Sequence, residues 1–164
     1  MEVNLHIYSG IGNLIAIVDG IRNDLHISSK EVDHVYNFHG VNFDQLIILL
    51  PPSDPQNDLD VKIFNNDGSI ASNCINGARC VGRFIKDNSL LASNKFKVKT
   101  DGGLWELDNI ENNIFSAAFE AKAEIITKKV EAKGIELSLD CINLGNLHGV
   151  TFENKQLDMR FLAI

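Results

Sequence analysis

The residues best equipped for chemistry lie in one run, Asn65-Asn66-Asp67-Gly68-Ser69-Ile70-Ala71-Ser72-Asn73-Cys74-Ile75-Asn76-Gly77-Ala78-Arg79-Cys80. Asn65 to Ser69 has the composition of a turn. A helix is expected from about Asn76 to Asn88, with Val81, Phe84 and Ile85 on one stripe. Cys74 therefore falls just before a helix start. The free N–H groups of a first helical turn attract an anion, so a carboxylate would dock on the amides of Ile75, Asn76 and Gly77. The same field favours a thiolate, which lowers a cysteine pKa from about 8.5 to roughly 3.5–7.5 in documented cases. The competing reading makes Cys74 a small buried hydrophobe, the usual state of a free cysteine. Cys80, on the packing side of the helix, is expected in the core.

Positioning such a thiol requires a scaffold, and the pattern supplies strands and two helices. Val3 to Tyr8 alternates as a strand. Ser9 to Asn13 is a glycine-containing turn, and Leu14 to Asp19 is a short apolar strand. Ser28 or Ser29 caps a helix to about His39, with Val32, Val35 and Tyr36 on its apolar face. Gln45 to Leu50 reads as a buried strand, closed by prolines at 51, 52 and 55. Leu59 to Phe64 alternates clearly. Lys95–Thr100, Leu104–Asp108 and Ile114–Glu120 form a meander. Ile125–Ile126, Ile135–Leu139 and Cys141–Leu144 are expected as short strands. The expected class is mixed α/β (α+β), rich in antiparallel strands.

The 164 residues carry a net charge of −7, 45% hydrophobic and 23% charged residues. That composition suits a folded domain and argues against disorder and against a nucleic-acid partner. The longest apolar runs are too short to span a membrane, and no basic-then-apolar leader is readable. Three cysteines, without dense spacing, fit reduced thiols and a cytoplasmic location better than a secreted disulfide framework. No zinc spacing, dinucleotide fingerprint, P-loop or nucleophile elbow is present. No metal is expected.

Four stretches, in order, resemble the diaminopimelate epimerase family. The Cys74 run is similar to that family's Cys-Gly-Asn-Gly-Ala-Arg-Cys motif. Gly10-Ile11-Gly12-Asn13 is similar to its Gly-Leu-Gly-Asn turn. His39 to Leu46 is similar to its Gly-Val-Gly-Phe-Asp-Gln-Leu stretch, and Gly145-Asn146-Leu147-His148 to its Gly-Asn-Pro-His. The resemblance implies two α/β halves, each a curved, mostly antiparallel sheet wrapped around a helix, with the substrate between them. It places a first domain at 1–120 and the beginning of an incomplete second at 121–164. It also implies a cofactor-independent isomerase of lysine and peptidoglycan-precursor biosynthesis, interconverting LL- and meso-diaminopimelate without pyridoxal phosphate. In that chemistry one cysteine removes the α-proton and another returns one on the opposite face. Carried over by position, Cys74 is the first of those thiols. Asn13, Gln45, Asn65 and Asn146 are substrate contacts, and Ile75 and Asn76 hold the α-carboxylate through their amides. His148 matches a family histidine whose role is left open.

The chain also departs from the family pattern. Ile75 stands where the family has Gly, placing a β-branched side chain where substrate is expected to approach. Asn42 replaces another Gly, Leu147 a Pro, and Gly149 a Cys. The resemblance covers essentially this whole chain but only the first three-fifths or so of a family member. The second cysteine is not found, because Cys141 sits in an expected strand with no helix start after it. Two readings follow. Either the site is completed by a homodimer partner or a separate C-terminal half, or the chain is a truncated or degenerate relative that binds without turnover.

Overall fold

The computed structural model describes residues 4–22, 25, 27–38, 40–111, 114–120, 124–132, 135–144 and 147–152. The chain divides into two compact units, Met1–Glu120 and Ala121–Ile164.

In the first unit the strands are β1 (His6–Gly10), β2 (Asn13–Asp19), β3 (Gln45–Leu50), β4 (Leu59–Asn65), β5 (Ile70–Ala71), β6 (Lys95–Thr100), β7 (Gly103–Glu111) and β8 (Ile114–Phe119). The helices are α1 (Ser29–Phe38) and α2 (Ile75–Asp87). The sheet order is β1-β2-β3-β4-β6-β7-β8, with β5 paired to β4. Most neighbours are antiparallel; β2–β3 and β4–β6 are parallel. Parallel neighbours need a crossover, and each helix is one of these crossovers. α1 joins β2 to β3, and α2 lies between β4 and β6.

The two crossovers cover opposite faces of the sheet. Ile15, Ile17, Ile47, Leu49, Val61 and Ile63 point to the face packed by Val81, Phe84 and Ile85 of α2. The alternate residues Ala16, Val18, Leu46, Ile48 and Phe64 pack with Val32 of α1. Burial on both faces is why β2 and β3 read as unbroken apolar runs rather than alternations. Helix α2 touches β1 and β2 at one edge of the sheet and β7 and β8 at the other, so the sheet curls around it. Phe84 meets the rings of His6 and Tyr8, 5.0 and 6.2 Å away. On its other flank, Gly82 leaves room for Phe115, which a Cβ there would meet at 2.6 Å. The α+β class and the sheet wrapped on a helix agree with the sequence expectation.

Helix α1 starts with a capping box. The Ser28 backbone N–H and hydroxyl both donate to the Glu31 carboxylate at 2.7 Å, so Ser28, rather than Ser29, is the cap.

Three element boundaries differ from the sequence reading. The first strand runs to Gly10 and the turn shrinks to Ile11–Gly12, because Gly10 pairs directly with Asn13 in a two-residue hairpin. Val3, the expected start of that strand, lies outside the described residues. In the second unit β9 (Ile125–Ala132), β10 (Ile135–Asn143) and β11 (Leu147–Val150) form a three-stranded antiparallel sheet. β9 is longer than the expected Ile125–Ile126, and β10 runs unbroken through Asp140. That carboxylate is satisfied from the neighbouring strand, accepting from Thr127 Oγ1 at 2.7 Å, so it does not interrupt pairing.

Candidate active site

The apolar rows of the α2 face end in amides. Asn13 continues the Ile15–Ile17 row, Gln45 the Ile47–Leu49 row, and Asn65 the Val61–Ile63 row, each by the two-residue period of a strand. The three ends lie side by side: Ile15 pairs with Gln45, and Gln45 with Asn65. Helix α2 begins against the same end of the sheet, where a Cβ on Gly77 would meet Ile47 Cδ1 at 2.6 Å.

Cys74 is the N-cap of α2, with extended backbone at φ −152° and ψ 93°. The Gly77 N–H donates to its Sγ at 3.2 Å. The residue before it is fixed from across the sheet: buried Trp105 donates through Nε1 to Asn73 Oδ1 at 2.7 Å. Gly10 allows the hairpin to lie against the helix; a Cβ there would meet Asn76 O at 2.7 Å and Cys80 Sγ at 2.9 Å. The hairpin tip is strained. Ile11 and Gly12 both have positive φ, 51° and 91°, as a type I′ turn requires, and a β-branched residue rarely adopts such a φ.

Asn13 and Asn76 meet directly, Asn76 Nδ2 donating to Asn13 Oδ1 at 2.9 Å. Gln45 Nε2 donates to Asn65 Oδ1 at 3.0 Å. Asn13, Gln45, Asn65, Cys74, Ile75 and Asn76 are thus gathered at one end of the sheet. Asn146 lies outside the described residues. His148 sits on β11, paired with Ile142.

One expectation changes. Burial pushes the Cys74 thiol above its ordinary value. The N–H groups of Gly77 and Asn76 pull it down and the Asp44 carboxylate adds to the rise. The helix start therefore moderates the thiol's acidity without making it a resting thiolate. Ile75 is half-buried and packs on the α2-side core, which anchors the side chain expected to crowd the ligand. Cys80 is buried, its pKa pushed up to about 11 by desolvation first and by the Cys74 charge second, against Arg79. Cys141 lies mid-strand, paired with Gly149 and Ile126.

The sequence reading passed over Asp44 and Arg79. Asp44 accepts from the Leu14 N–H at 2.8 Å, its own N–H donates to Leu14 O at 2.8 Å, and its carbonyl accepts from Asn66 N–H at 3.2 Å. It joins the beginnings of β2 and β3 to the turn after β4. Arg79 donates to Asn76 Oδ1 at 3.2 Å. Both stand inside the stretches that carry the family resemblance, Asp44 beside Gln45 and Arg79 one helical turn beyond Asn76.

Residues 5–118 match the family model described as diaminopimelate epimerase. The chain belongs to the diaminopimelate epimerase family. The diaminopimelate epimerase of Stutzerimonas stutzeri is 35% identical over 154 aligned residues, covering 86% of this chain and 56% of the relative. That of Azotobacter vinelandii is 34% identical with the same coverage. The chain spans about half the length of the curated relatives it matches. Among solved structures it resembles a hydroxyproline epimerase from Agrobacterium vitis, with a TM-score of 0.67 and 13% identity, covering 98% of this chain and 52% of that one. It also resembles a Bacillus anthracis phenazine biosynthesis protein of the PhzF family, with a TM-score of 0.61 and 16% identity, covering 90% and 53%. At these identities the likeness is one of fold. Among the described residues no helix is long and apolar enough to cross a membrane.

Proposed function

We propose that the chain carries one side of a cofactor-independent amino-acid epimerase site of the diaminopimelate type, with Cys74 as one of its two thiol acid/bases. The observation that carries this reading is the convergence of the Cys74 thiol, at the start of α2, with Asn13, Gln45, Asn65 and Asn76. The amides at the helix start suit a ligand carboxylate. A thiol held beside them is placed to exchange a proton with the carbon that bears that carboxylate. Its raised pKa favours the protonated, proton-donating form at rest. Inversion needs a second acid/base on the opposite face of that carbon. Buried Cys80 and mid-strand Cys141 are poor candidates, so the second thiol of the proposed site is not among the cysteines of these 164 residues. The small-molecule partner is then a diamino acid, the product is its epimer, and the setting is cytoplasmic lysine and peptidoglycan-precursor synthesis.

Iodoacetamide alkylation with peptide mapping tests the reading. Cys74 reacts before Cys80, with a pH midpoint above the ordinary thiol value of about 8.5. Millimolar meso-diaminopimelate slows Cys74 and leaves Cys141 unaffected. Equal rates at Cys74 and Cys80, or no selective protection of Cys74, would count against it.

A further inference from the structure

Two hydrogen-bond chains run through the site amides, and they end differently. In the first, Arg79 Nη1 donates to Asn76 Oδ1, Asn76 Nδ2 to Asn13 Oδ1, and Asn13 Nδ2 to Asp44 Oδ2, at 3.2, 2.9 and 3.4 Å. A guanidinium only donates and a carboxylate only accepts. Both ends are therefore closed, and neither amide can turn over without losing a partner. In the second, Gln45 Nε2 donates to Asn65 Oδ1, Asn65 Nδ2 to Ser69 Oγ, and Ser69 Oγ to Asp67 Oδ1, at 3.0, 3.0 and 2.6 Å. This chain is closed at one end only. Its open end is Gln45, whose Oε1 accepts no hydrogen bond among the described residues.

We infer that Asp67 is a positioning residue that sets which face of the Gln45 amide is free. The polarity follows by elimination. An ionised carboxylate accepts only, so the single Ser69 hydroxyl proton is committed to it. Ser69 Oγ then accepts, and Asn65 donates into it. Asn65 is left presenting Oδ1, and Gln45 gives Nε2 to that atom. What remains free is Gln45 Oε1, an acceptor. Asp67 is itself well held: the Ser69 N–H also donates to Oδ1 at 2.8 Å. The Ser69 hydroxyl first, and this N–H second, keep its carboxyl below the usual range. On the ligand side, which rests on the epimerase reading, this corner of the site takes a donor such as an ammonium group and disfavours a carboxylate oxygen.

The test uses the whole chain and the side-chain amide signals of Gln45 resolved by ¹⁵N NMR. Asp67→Asn keeps the turn, because Asn makes the same side-chain-to-backbone turn. Its amide, however, donates as well as accepts, which releases the Ser69 proton. In wild type one Gln45 Nε2 proton is displaced downfield by its bond to Asn65. In Asp67→Asn that displacement shrinks or a second set of Gln45 signals appears. Ser69→Ala has the larger effect, and Ser69→Thr retains the wild-type pattern. Gln45 signals that stay unmoved in Asp67→Asn, while the Ser69 backbone amide shifts, would reduce Asp67 to a local turn residue and overturn the inference. Adding meso-diaminopimelate perturbs the Gln45 amide; adding pimelate, the same dicarboxylate without amines, does not. An equal response to both overturns the ammonium preference. A Gln45 amide that responds to Asp67→Asn but to neither compound supports the positioning role and counts against the epimerase reading.

Discussion

The two units of the chain use the same antiparallel pairing to very different effect. In Met1–Glu120 the central strands have a helix on each face, and Trp105, Phe43, Phe64 and Phe84 are all at most 1% exposed. In Ala121–Ile164, among the described residues, Leu137 is the one buried hydrophobic side chain, while Ile125, Ile126, Val150 and Phe152 are exposed. Three antiparallel strands by themselves bury little apolar surface. Cys74, Asn13, Gln45, Asn65 and Asn76 all belong to the unit with two covered faces. Holding a thiol and four side-chain amides in register needs a packed scaffold beneath them.

The largest predicted effect separates the two units. Phe84→Ala removes the side chain that joins α2 to β1 and should cost about 3–5 kcal/mol. Chemical denaturation followed by fluorescence of the single tryptophan, Trp105, should show the loss as a lower midpoint. Leu137→Ala should cost about 2 kcal/mol and appear as faster amide exchange in β9–β11, with the Trp105 transition unmoved. A Leu137→Ala variant that shifts the Trp105 midpoint as far as Phe84→Ala would mean that the two units unfold together.

A smaller change sharpens the link between scaffold and site. The Cβ of Gly77→Ala would meet Ile47 Cδ1 at 2.6 Å and Cys74 Sγ at 3.0 Å. The Ile47 methyl can move, and alanine favours the helix, so net destabilisation should stay near ~1 kcal/mol. The thiol cannot keep its place over the Gly77 N–H. Cys74 alkylation should therefore change by more than thermal stability does, whereas a scaffold role alone predicts the reverse. Smallest of all, Ile11→Asn should stabilise the first unit by about 1 kcal/mol, because Asn tolerates the positive φ that Ile resists. Thermal melting measures it, and a destabilised variant would show that Ile11 makes a contact worth more than its strain.

Much of the first unit was legible in the sequence because its signals were local. Val81, Phe84 and Ile85 marked the α2 stripe, β4 alternated, and the proline cluster closed β3. Cys74 at a helix start, with Asn13, Gln45 and Asn65 at strand ends or turns, was readable as a set from the ordered motifs. Quantities that depend on three dimensions were not legible. Burial outweighing the helix-start amides at Cys74 needs the packed core. The inward packing of Ile75 needs the side-chain direction. Asp44 and Arg79 acquire meaning only when the hairpin, the β3 start and α2 meet. In the second unit Asp140 looked like a strand break because its partner, Thr127, lies on a different strand.

The central claim, that this chain supplies one thiol of a two-sided epimerase site, is tested most directly by hydrogen exchange at the substrate α-carbon. The chain alone, incubated in heavy water with millimolar diaminopimelate, is expected to introduce deuterium slowly at the α-carbon with retained configuration. Cys74→Ala is expected to abolish that incorporation. Inversion by a monodisperse monomer would require a second acid/base within these 164 residues, and exchange that survives Cys74→Ala, or no exchange above that background, would remove Cys74 from the chemistry; any of these results contradicts the account.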